Sequence, residues 1–385
     1  MDDPPVRVVA GSTVTLAPLA NDTDDGLGRP AGETPHLEVA AFTALGARVS
    51  TGPHRTRLRF TARPDDAGRS FALSYTATDG SLESEPASAQ VTVSVPPVLH
   101  RVTLHVPPLV VLRPSLLRGS VRPLGPATVR VQRLVGTRWT AFRSDRADAR
   151  GRYAVRFRTD RPQRLTLRAV ATWNDDRRAV SGRLTRTVVA RPDVRVSGPL
   201  TRADVPHSYR AGCPVRPSGL RRISVNRFTY RRVVARGSLV VRASAVPDLV
   251  RVFRASFLSR FPVRTMMPSD AFYAGGRRTP TQSDLAAMRA DNTSAFNCRP
   301  VTGNPYRISQ HSYGNAIDIN TVRNPYVVGG RVFPAFARTY LDRSRERTGM
   351  ILRDGVIATS MRRNGWPWGA RWSHPDYQHF SANGG

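Results

Sequence analysis

The sequence contains no lysine, so all 59 of its basic residues are arginine. With 28 acidic residues, the formal net charge is +31. Basic surfaces that bind nucleic acid usually mix lysine with arginine, so an arginine-only set favours a bias in codon composition over a dedicated phosphate-binding surface. No recognisable nucleic-acid-binding motif accompanies the charge. The sequence therefore predicts no nucleic-acid partner.

Long apolar runs are missing as well. No hydrophobic stretch approaches the roughly 20 residues that a membrane-spanning helix requires. The first five residues, MDDPP, have neither the basic region nor the apolar region of a secretion signal. We expect no transmembrane segment, and if the protein is exported, its signal is absent from this sequence.

Cysteine is scarce, and Cys213 and Cys298 are the only two. They can form one disulfide in an exported protein or remain two buried thiols. Because both fall in the segment that we assign to one domain, we favour the disulfide. Closing so long a loop contributes on the order of 4 kcal/mol to stability through the unfolded state.

The length of 385 residues and the distribution of charge both predict several domains. The net charge is −4 over residues 1–97, +16 over residues 98–192 and +19 over residues 193–385. A protein this basic adheres to anionic polymers of a cell wall or to a membrane surface, in a salt-dependent manner.

Residues 1–97 alternate apolar and polar positions in short runs, such as 6–9, 58–60, 71–75 and 91–95, which predicts an antiparallel β-sandwich. The acidic stretch at 19–26, followed by 75–80 and a closing Val-Thr-Val strand, resembles bacterial cadherin-like or immunoglobulin-like modules. In such modules an acidic loop can bind calcium, here through Asp22, Asp24 and Asp25. A self-bonded acidic turn fits the same residues, and few oxygen ligands are visible locally.

A Pro-Pro pair at 96–97 marks a domain boundary, and residues 98–192 show a second set of strands, including 127–132, 153–157 and 165–170. This segment is similar to a second immunoglobulin-like sandwich. We interpret Trp139 and Trp173 as packing residues rather than ligand platforms. Residues 193–204 lose the periodicity and are interpreted as a linker.

Residues 205–385 have a different character, with strands, helices and longer irregular stretches typical of an α+β domain. Residues 239–243 predict a strand. Ser244 is then expected to cap a helix that has Pro247 in its first turn and ends before Pro262.

Two motifs in this third segment together provide the residues of a catalytic zinc site. His311 is followed seven positions later by Asp318, and Asp376 precedes His379 by three positions. Catalytic zinc takes three protein ligands of the N/O type and leaves one position open, while a carboxylate that is not a ligand acts as base. Glu346 is the only glutamate in residues 193–385, and it lies in a charged stretch. Asp376 is therefore the best candidate for the base.

These motifs resemble the D-alanyl-D-alanine carboxypeptidases and L-alanyl-D-glutamate peptidases of bacterial cell walls. The matching pattern is Ser309-x-His311-x-x-Gly314-x-Ala316-x-Asp318, followed by Asp376-x-x-His379, and the likeness extends through residues 292–299 and 366–372. It covers about residues 205–385. The resemblance implies a hedgehog/DD-peptidase-like fold, bound Zn²⁺, peptidoglycan stem peptides as substrates, and a secreted, wall-associated location.

The resemblance also implies residue roles. His311, Asp318 and His379 are the zinc ligands, and Asp376 takes a proton from the attacking water. Arg299 holds a carbonyl or carboxylate of the substrate, and Ser309 and Tyr313 form hydrogen bonds around the site. Aspartate as base, where many members have glutamate, occurs in the branch that cuts L-Ala-D-Glu.

Several alternatives stay open at this point. The protein could be a non-catalytic wall-binding or adhesion protein with a vestigial zinc site. The bond cut by an enzyme could be D-Ala-D-Ala or L-Ala-D-Glu. We interpret His374 as a surface residue or one that supports the site from outside the ligand set, ahead of contact with substrate. We assign Trp366, Trp368 and Trp372 to packing ahead of lining a substrate groove.

Overall fold

The computed structural model describes residues 3–23, 37–44, 48–96, 98–301 and 304–384. The chain divides into two compact units, Met1–Leu99 and His100–Gly385. Asp24 and Asp25 of the predicted calcium loop lie outside the described residues. In the part of the chain that is described, no helix is long and apolar enough to cross a membrane.

The first unit is a sandwich of two sheets with strand orders β1-β7-β6-β3 and β2-β5-β4. Leu58 and Phe60 of one sheet meet Tyr75, Val91 and Val93 of the other in a shared core. One pair, β1 with β7, is parallel, which is possible because these first and last strands are not joined by a hairpin. The strands are β1 (Val6–Val9), β2 (Thr13–Leu16), β3 (Glu38–Ala44), β4 (Arg48–Thr51), β5 (Leu58–Thr61), β6 (Ser70–Thr78) and β7 (Ala87–Ser94).

The second unit begins with another sandwich, whose sheets have the orders β13-β10-β8 and β12-β11-β14-β16-β9, with β15 beside β14. Trp173 is buried in its core, and its indole N–H donates to the Pro123 carbonyl at 3.2 Å. The strands are β8 (Arg101–Val102), β9 (Leu109–Val110), β10 (Ser115–Arg122), β11 (Ala127–Val135), β12 (Arg138–Arg146), β13 (Arg152–Phe157), β14 (Gln163–Trp173), β15 (Arg178–Val180) and β16 (Leu184–Val189).

The rest of the second unit mixes helices with short strands. Helices α1 and α3 pack with the β17-β18-β19 sheet around a core that includes Leu249, Phe253, Met361 and Trp366. The elements are β17 (Arg195–Ser197), β18 (Leu220–Phe228), β19 (Val234–Arg242), α1 (Val246–Leu258), β20 (Thr265–Met266), α2 (Pro280–Arg289), β21 (Asn292–Thr293), β22 (Pro300–Val301), β23 (Asn304–Ile308), β24 (Ala316–Asp318), β25 (Tyr326–Val328), β26 (Arg331–Phe333), α3 (Val356–Arg363) and β27 (His379–Ser381).

Two local features differ from the sequence interpretation. Strand β17 lies within residues 193–204 and pairs with β18, so this segment belongs to a sheet rather than forming a free linker. Helix α1 has Ala245 at its N-cap, with no side-chain capping bond, because Ser244 lies inside a preceding 3-10 turn. The helix ends at Leu258, since Arg260 adopts a left-handed conformation with φ of 57°.

The second sandwich packs directly against the α+β region. Phe228, Val234 and Phe257 of that region are buried in the hydrophobic core of the sandwich. The backbone N–H of Val234 donates to the Asp160 carbonyl at 2.7 Å. Residues 100–385 are therefore one body in which two kinds of fold share a core.

Candidate active site

The backbone around His311 is shaped by a short 3-10 turn, Gln310–Tyr313. The hydroxyl of Ser309 accepts a hydrogen bond from the N–H of His311 at 3.3 Å and so caps the turn. Gly314 ends it with φ of 66°, and a Cβ there would lie 2.7 Å from the backbone nitrogen of Arg242. Only glycine fits both demands, and the chain then enters β24.

Strand pairing places the second motif opposite the first. Strands β24 and β27 are antiparallel, with Asp318 directly opposite His379. His311 Nε2 lies 3.2 Å from His379 Nδ1 and 3.2 Å from a carboxylate oxygen of Asp318. His379 Nδ1 lies 3.0 Å from the other carboxylate oxygen. Three buried side chains thus converge on one point, although His379 lies 61 residues after Asp318 and 68 residues after His311 in the sequence.

The hydrogen bonds determine which ring nitrogen of His311 is available for coordination. Its Nδ1 donates to the Ala295 carbonyl at 2.5 Å, and because a carbonyl only accepts, Nδ1 must carry the proton. In the neutral imidazole, Nε2 then presents a lone pair toward the other two residues. Ala295 was not singled out from the sequence.

The three residues fit a Zn²⁺ ion. One potential ligand atom from each lies within 4.8 Å of the others. Burial alone would raise the pKa of Asp318, but the two imidazoles, His311 first, hold it well below its usual range, so the carboxylate is charged. Two imidazoles and one carboxylate are a ligand set that catalytic zinc uses, and a cation would stabilise this convergence of lone pairs.

The side chain of Asp376 lies beside His311, Asp318 and His379 without a hydrogen bond to their side chains, although its backbone carbonyl accepts the N–H of His379 at 3.4 Å. Its carboxylate is buried, and Oδ1 has no hydrogen-bond partner among the described residues. Burial, with a smaller contribution from the charge of Asp318, raises the pKa of Asp376 to about 8. A cation held by the neighbouring residues would lower that pKa. A buried carboxylate with a perturbed pKa in a cleft is typical of a proton-transferring group.

Arg299 is held in place by contacts that the motif alone does not show. It is buried, and its Nη2 lies 2.9 Å from a carboxylate oxygen of Asp284 on helix α2. Its backbone N–H donates to the Ser312 hydroxyl at 2.9 Å, and that hydroxyl donates to the Arg299 carbonyl at 3.0 Å. Asp284 and Ser312 contact a predicted site residue but were not assigned to the site from the sequence. The position of Ser312 next to His311 was the one available signal.

A cleft of about 410 Å³ opens onto these residues. Of the predicted site residues, it is lined by His311, Asp318, His379, Asp376, Arg299 and Ser309. Tyr313 is not among the lining residues. His374 and Trp372 do line it, and the Trp372 ring lies 5.3 Å from that of His379, whereas Trp366 is buried and Trp368 stacks on Phe380. His374 and Trp372 are therefore placed to meet a substrate.

Cys213 and Cys298 form a disulfide with a Cα–Cα distance of 6.0 Å. The residue after Cys298 is Arg299, so the bond anchors the segment that carries this cleft arginine. It joins that segment to a part of the chain 85 residues earlier.

A protein-family model matches the part of the chain that carries most of this cleft. Residues 302–382 match the model of a family described as D-alanyl-D-alanine carboxypeptidase. The match covers about a fifth of the chain and includes His311, Asp318, Asp376 and His379, while Arg299 lies just before it. The C-terminal segment is thus similar to a peptidase family. No curated protein matches the chain.

Solved structures resemble the chain only loosely. The fibronectin(III)-like modules of CbhA from Clostridium thermocellum are 16% identical and cover 48% of this chain and 89% of their own, with a TM-score of 0.18. The Yersinia pseudotuberculosis adhesin InvE is 12% identical over 67% of this chain and 79% of its own, with a TM-score of 0.18. The Ig1-2 module of the Drosophila receptor DLAR is 15% identical over 49% and 95%, with a TM-score of 0.16. TM-scores this low do not establish a common fold.

Proposed function

We propose that this protein is a zinc-dependent peptidase that hydrolyses an amide bond in the stem peptides of peptidoglycan. The observation that carries the proposal is the convergence of His311, Asp318 and His379 beside the buried carboxylate of Asp376, whose Oδ1 has no hydrogen-bond partner among the described residues. The similarity of residues 302–382 to a carboxypeptidase family supports the same chemistry. The protein would act outside the cell, at the wall.

In this proposal His311 Nε2, His379 Nδ1 and an Asp318 oxygen hold the zinc. When bound, zinc acts as a Lewis acid that polarises the scissile carbonyl and makes water nucleophilic near neutral pH. Asp376 accepts the proton of the attacking water at its free oxygen and passes it to the nitrogen of the departing amine. Burial of this carboxylate favours both steps, because it brings the pKa toward neutrality.

Arg299 binds the substrate in this mechanism. Asp284 and Ser312 fix its side chain and backbone, so the guanidinium meets a substrate carbonyl or carboxylate without reorganising. Ser309 acts through the His311 turn that it caps. The substitution of aspartate for the more common glutamate base favours the L-Ala-D-Glu bond, with D-Ala-D-Ala as the other candidate.

Mass spectrometry of peptidoglycan fragments tests the proposal directly. The fragments are incubated with metal-free protein, with zinc-restored protein and with zinc-restored Asp376→Asn protein. Zinc-dependent release of terminal D-alanine indicates a carboxypeptidase, and a new D-glutamate amino terminus indicates an endopeptidase. If zinc-restored protein yields neither product, the alternative of a non-catalytic wall-binding protein replaces this proposal.

A further inference from the structure

We propose that the second sandwich, together with its junction to the α+β region, forms a docking groove for an anionic wall polymer whose charges are phosphodiester groups. The choice of a wall polymer rests on the proposed function, since such polymers surround the peptidase substrate. The groove itself follows from the placement of arginine side chains on residues 100–385.

The first part of the groove lies at the edge of the sandwich, between β12 and β13. A depression of about 530 Å³ is lined there by Arg133, Arg143, Arg156 and Arg158, all of them exposed. No acidic residue lines it, and no salt bridge joins these four side chains to another residue that the structure describes. Four arginines therefore line one open space that has no carboxylate among its lining residues, and the Nε of one of them, Arg158, donates to the Leu112 carbonyl at 3.2 Å.

The depression continues toward the α+β region. At Gln163 it adjoins a second depression lined by Arg164 and Arg260, which lies over the shared core at Phe228 and Phe257. We call this surface the arginine groove and define it by Arg133, Arg143, Arg156, Arg158, Arg164 and Arg260. Because residues 100–385 form one compact unit, its two parts keep a fixed spacing.

Beyond Arg260 the positive charge extends further. A third depression shares Arg260 and is lined by Arg232 and Arg347, with Glu346 as its one acidic residue. An extended ligand with repeated negative charges fits this arrangement better than a single small anion does.

A few arginines elsewhere on the sandwich have acidic or amide partners, whereas most of its arginines, those of the groove included, have no salt bridge among the described residues. Arg152 pairs with Asp148, Arg177 pairs with Asp175, and Arg168 donates to Gln132 at 2.8 Å. Crowded like charges destabilise a fold unless counterions or a ligand neutralise them. Guanidinium groups bind phosphate oxygens through two parallel hydrogen bonds, so a phosphodiester chain would provide that neutralisation.

The aromatic residues near the groove argue against nucleic acid as its ligand. Phe142 and Phe157 pack edge to face against each other at 5.9 Å, and Trp139 is covered by Arg168 at 4.2 Å. These contacts occupy one ring face of the phenylalanine pair and one of Trp139, on which single-stranded bases would otherwise stack. Among the described residues of 98–192 there is also no helix that could enter a major groove.

The test compares two triple variants that lose the same charge. Arg133→Gln/Arg143→Gln/Arg156→Gln removes three groove arginines. Arg118→Gln/Arg130→Gln/Arg178→Gln removes three other exposed strand arginines of the same sandwich that line none of these depressions. Each protein is titrated with soluble poly(glycerol phosphate) and with a 20-base-pair DNA duplex, matched in phosphate concentration, over a range of salt.

We expect the groove variant to bind poly(glycerol phosphate) about tenfold more weakly than wild type, and the control variant to bind less than threefold more weakly. For the groove variant, the magnitude of the slope of log affinity against log salt should fall by about two to three. The reason is that the three lost phosphate contacts no longer release counterions. Equal losses in both variants would show that only net charge matters and would overturn the proposal. Tighter binding of the duplex, or no binding of the polymer by wild type at physiological salt, would overturn it as well.

Hydrolysis of a small soluble stem peptide separates this proposal from the proposed function. The groove variant should hydrolyse that peptide as wild type does, since none of its changed residues lines the catalytic cleft. Loss of polymer binding with intact hydrolysis supports the groove. A wild type that binds the polymer and hydrolyses nothing refutes the peptidase while leaving the groove in place.

Discussion

At the residue scale, the proposed role of Asp376 is separable from those of His311, Asp318 and His379, because its side chain makes no hydrogen bond to theirs. In the Asp376→Asn protein we expect zinc content to stay at the wild-type level. The rate constant kcat should fall by about 10² to 10⁴, since an amide cannot accept the proton. Elemental analysis and steady-state kinetics on the same preparation check both parts. Near-normal turnover would remove Asp376 from the mechanism.

His379 should behave differently when it is changed. We expect His379→Ala to lose zinc and activity together, because one of three ligands is gone. His374→Ala is the matched control, since His374 lines the same cleft but lies outside the ligand triad. Zinc titration by calorimetry should show weaker binding for His379→Ala alone. Equal zinc affinity in the two variants would contradict the assigned ligand set.

Substitution of Asp284 tests whether this residue, which lies outside the cleft lining, positions Arg299 inside it. Breaking its buried pair with Arg299 by Asp284→Asn should lower the unfolding free energy by about 3 kcal/mol or more. It should also raise KM about tenfold, while kcat and zinc content stay near normal, because Arg299 loses its orientation.

The control is Asp342→Asn, whose partner Arg345 is exposed, and its unfolding free energy should change by less than about 0.5 kcal/mol. A destabilised Asp284→Asn protein with unchanged KM would leave Asp284 with a purely structural role.

At the scale of elements, the pairing of β24 with β27 explains why a metal site could be predicted from the two sequence motifs, His311 to Asp318 and Asp376 to His379. Each motif carries its residues at fixed local spacing, and one strand pair brings Asp318 opposite His379. The contacts of Arg299 with Asp284 and of His311 with Ala295 could not be predicted in the same way. They depend on how α2 and residues 292–299 pack, which no local pattern encodes. Likewise Ser244 resembles an N-cap locally, but the 3-10 turn before α1 shifts the cap to Ala245.

The disulfide constrains the element that carries Arg299. Cys213→Ser/Cys298→Ser should lower the unfolding free energy by about 4 to 5 kcal/mol, as the chain-entropy estimate gives for a loop of this length. Urea unfolding of the variant and of the oxidised wild type measures the difference. A change below about 1 kcal/mol would indicate that the bond does not constrain the unfolded chain.

At the scale of the whole molecule, the second sandwich and the α+β region should unfold together. Phe257 packs on Phe228, with ring centroids 4.9 Å apart, inside the core that the sandwich provides. Phe257→Ala should therefore destabilise residues 100–385 by about 3 to 5 kcal/mol.

Calorimetry of the full chain should show one transition for Met1–Leu99 and another for His100–Gly385, with only the latter shifted by Phe257→Ala. Separate melting of the second sandwich would contradict a shared core. This packing was not predicted, because the alternation of residues in a strand shows which face is buried but not what covers it.

The strand pair that completes the site also sets an order for its biosynthesis. His311 and Asp318 leave the ribosome together, but His379 follows 61 residues after Asp318. Until β27 has been made and has paired with β24, only His311 and Asp318 are in place at the site. For the zinc site proposed above, metal loading would therefore have to wait until the α+β region has closed.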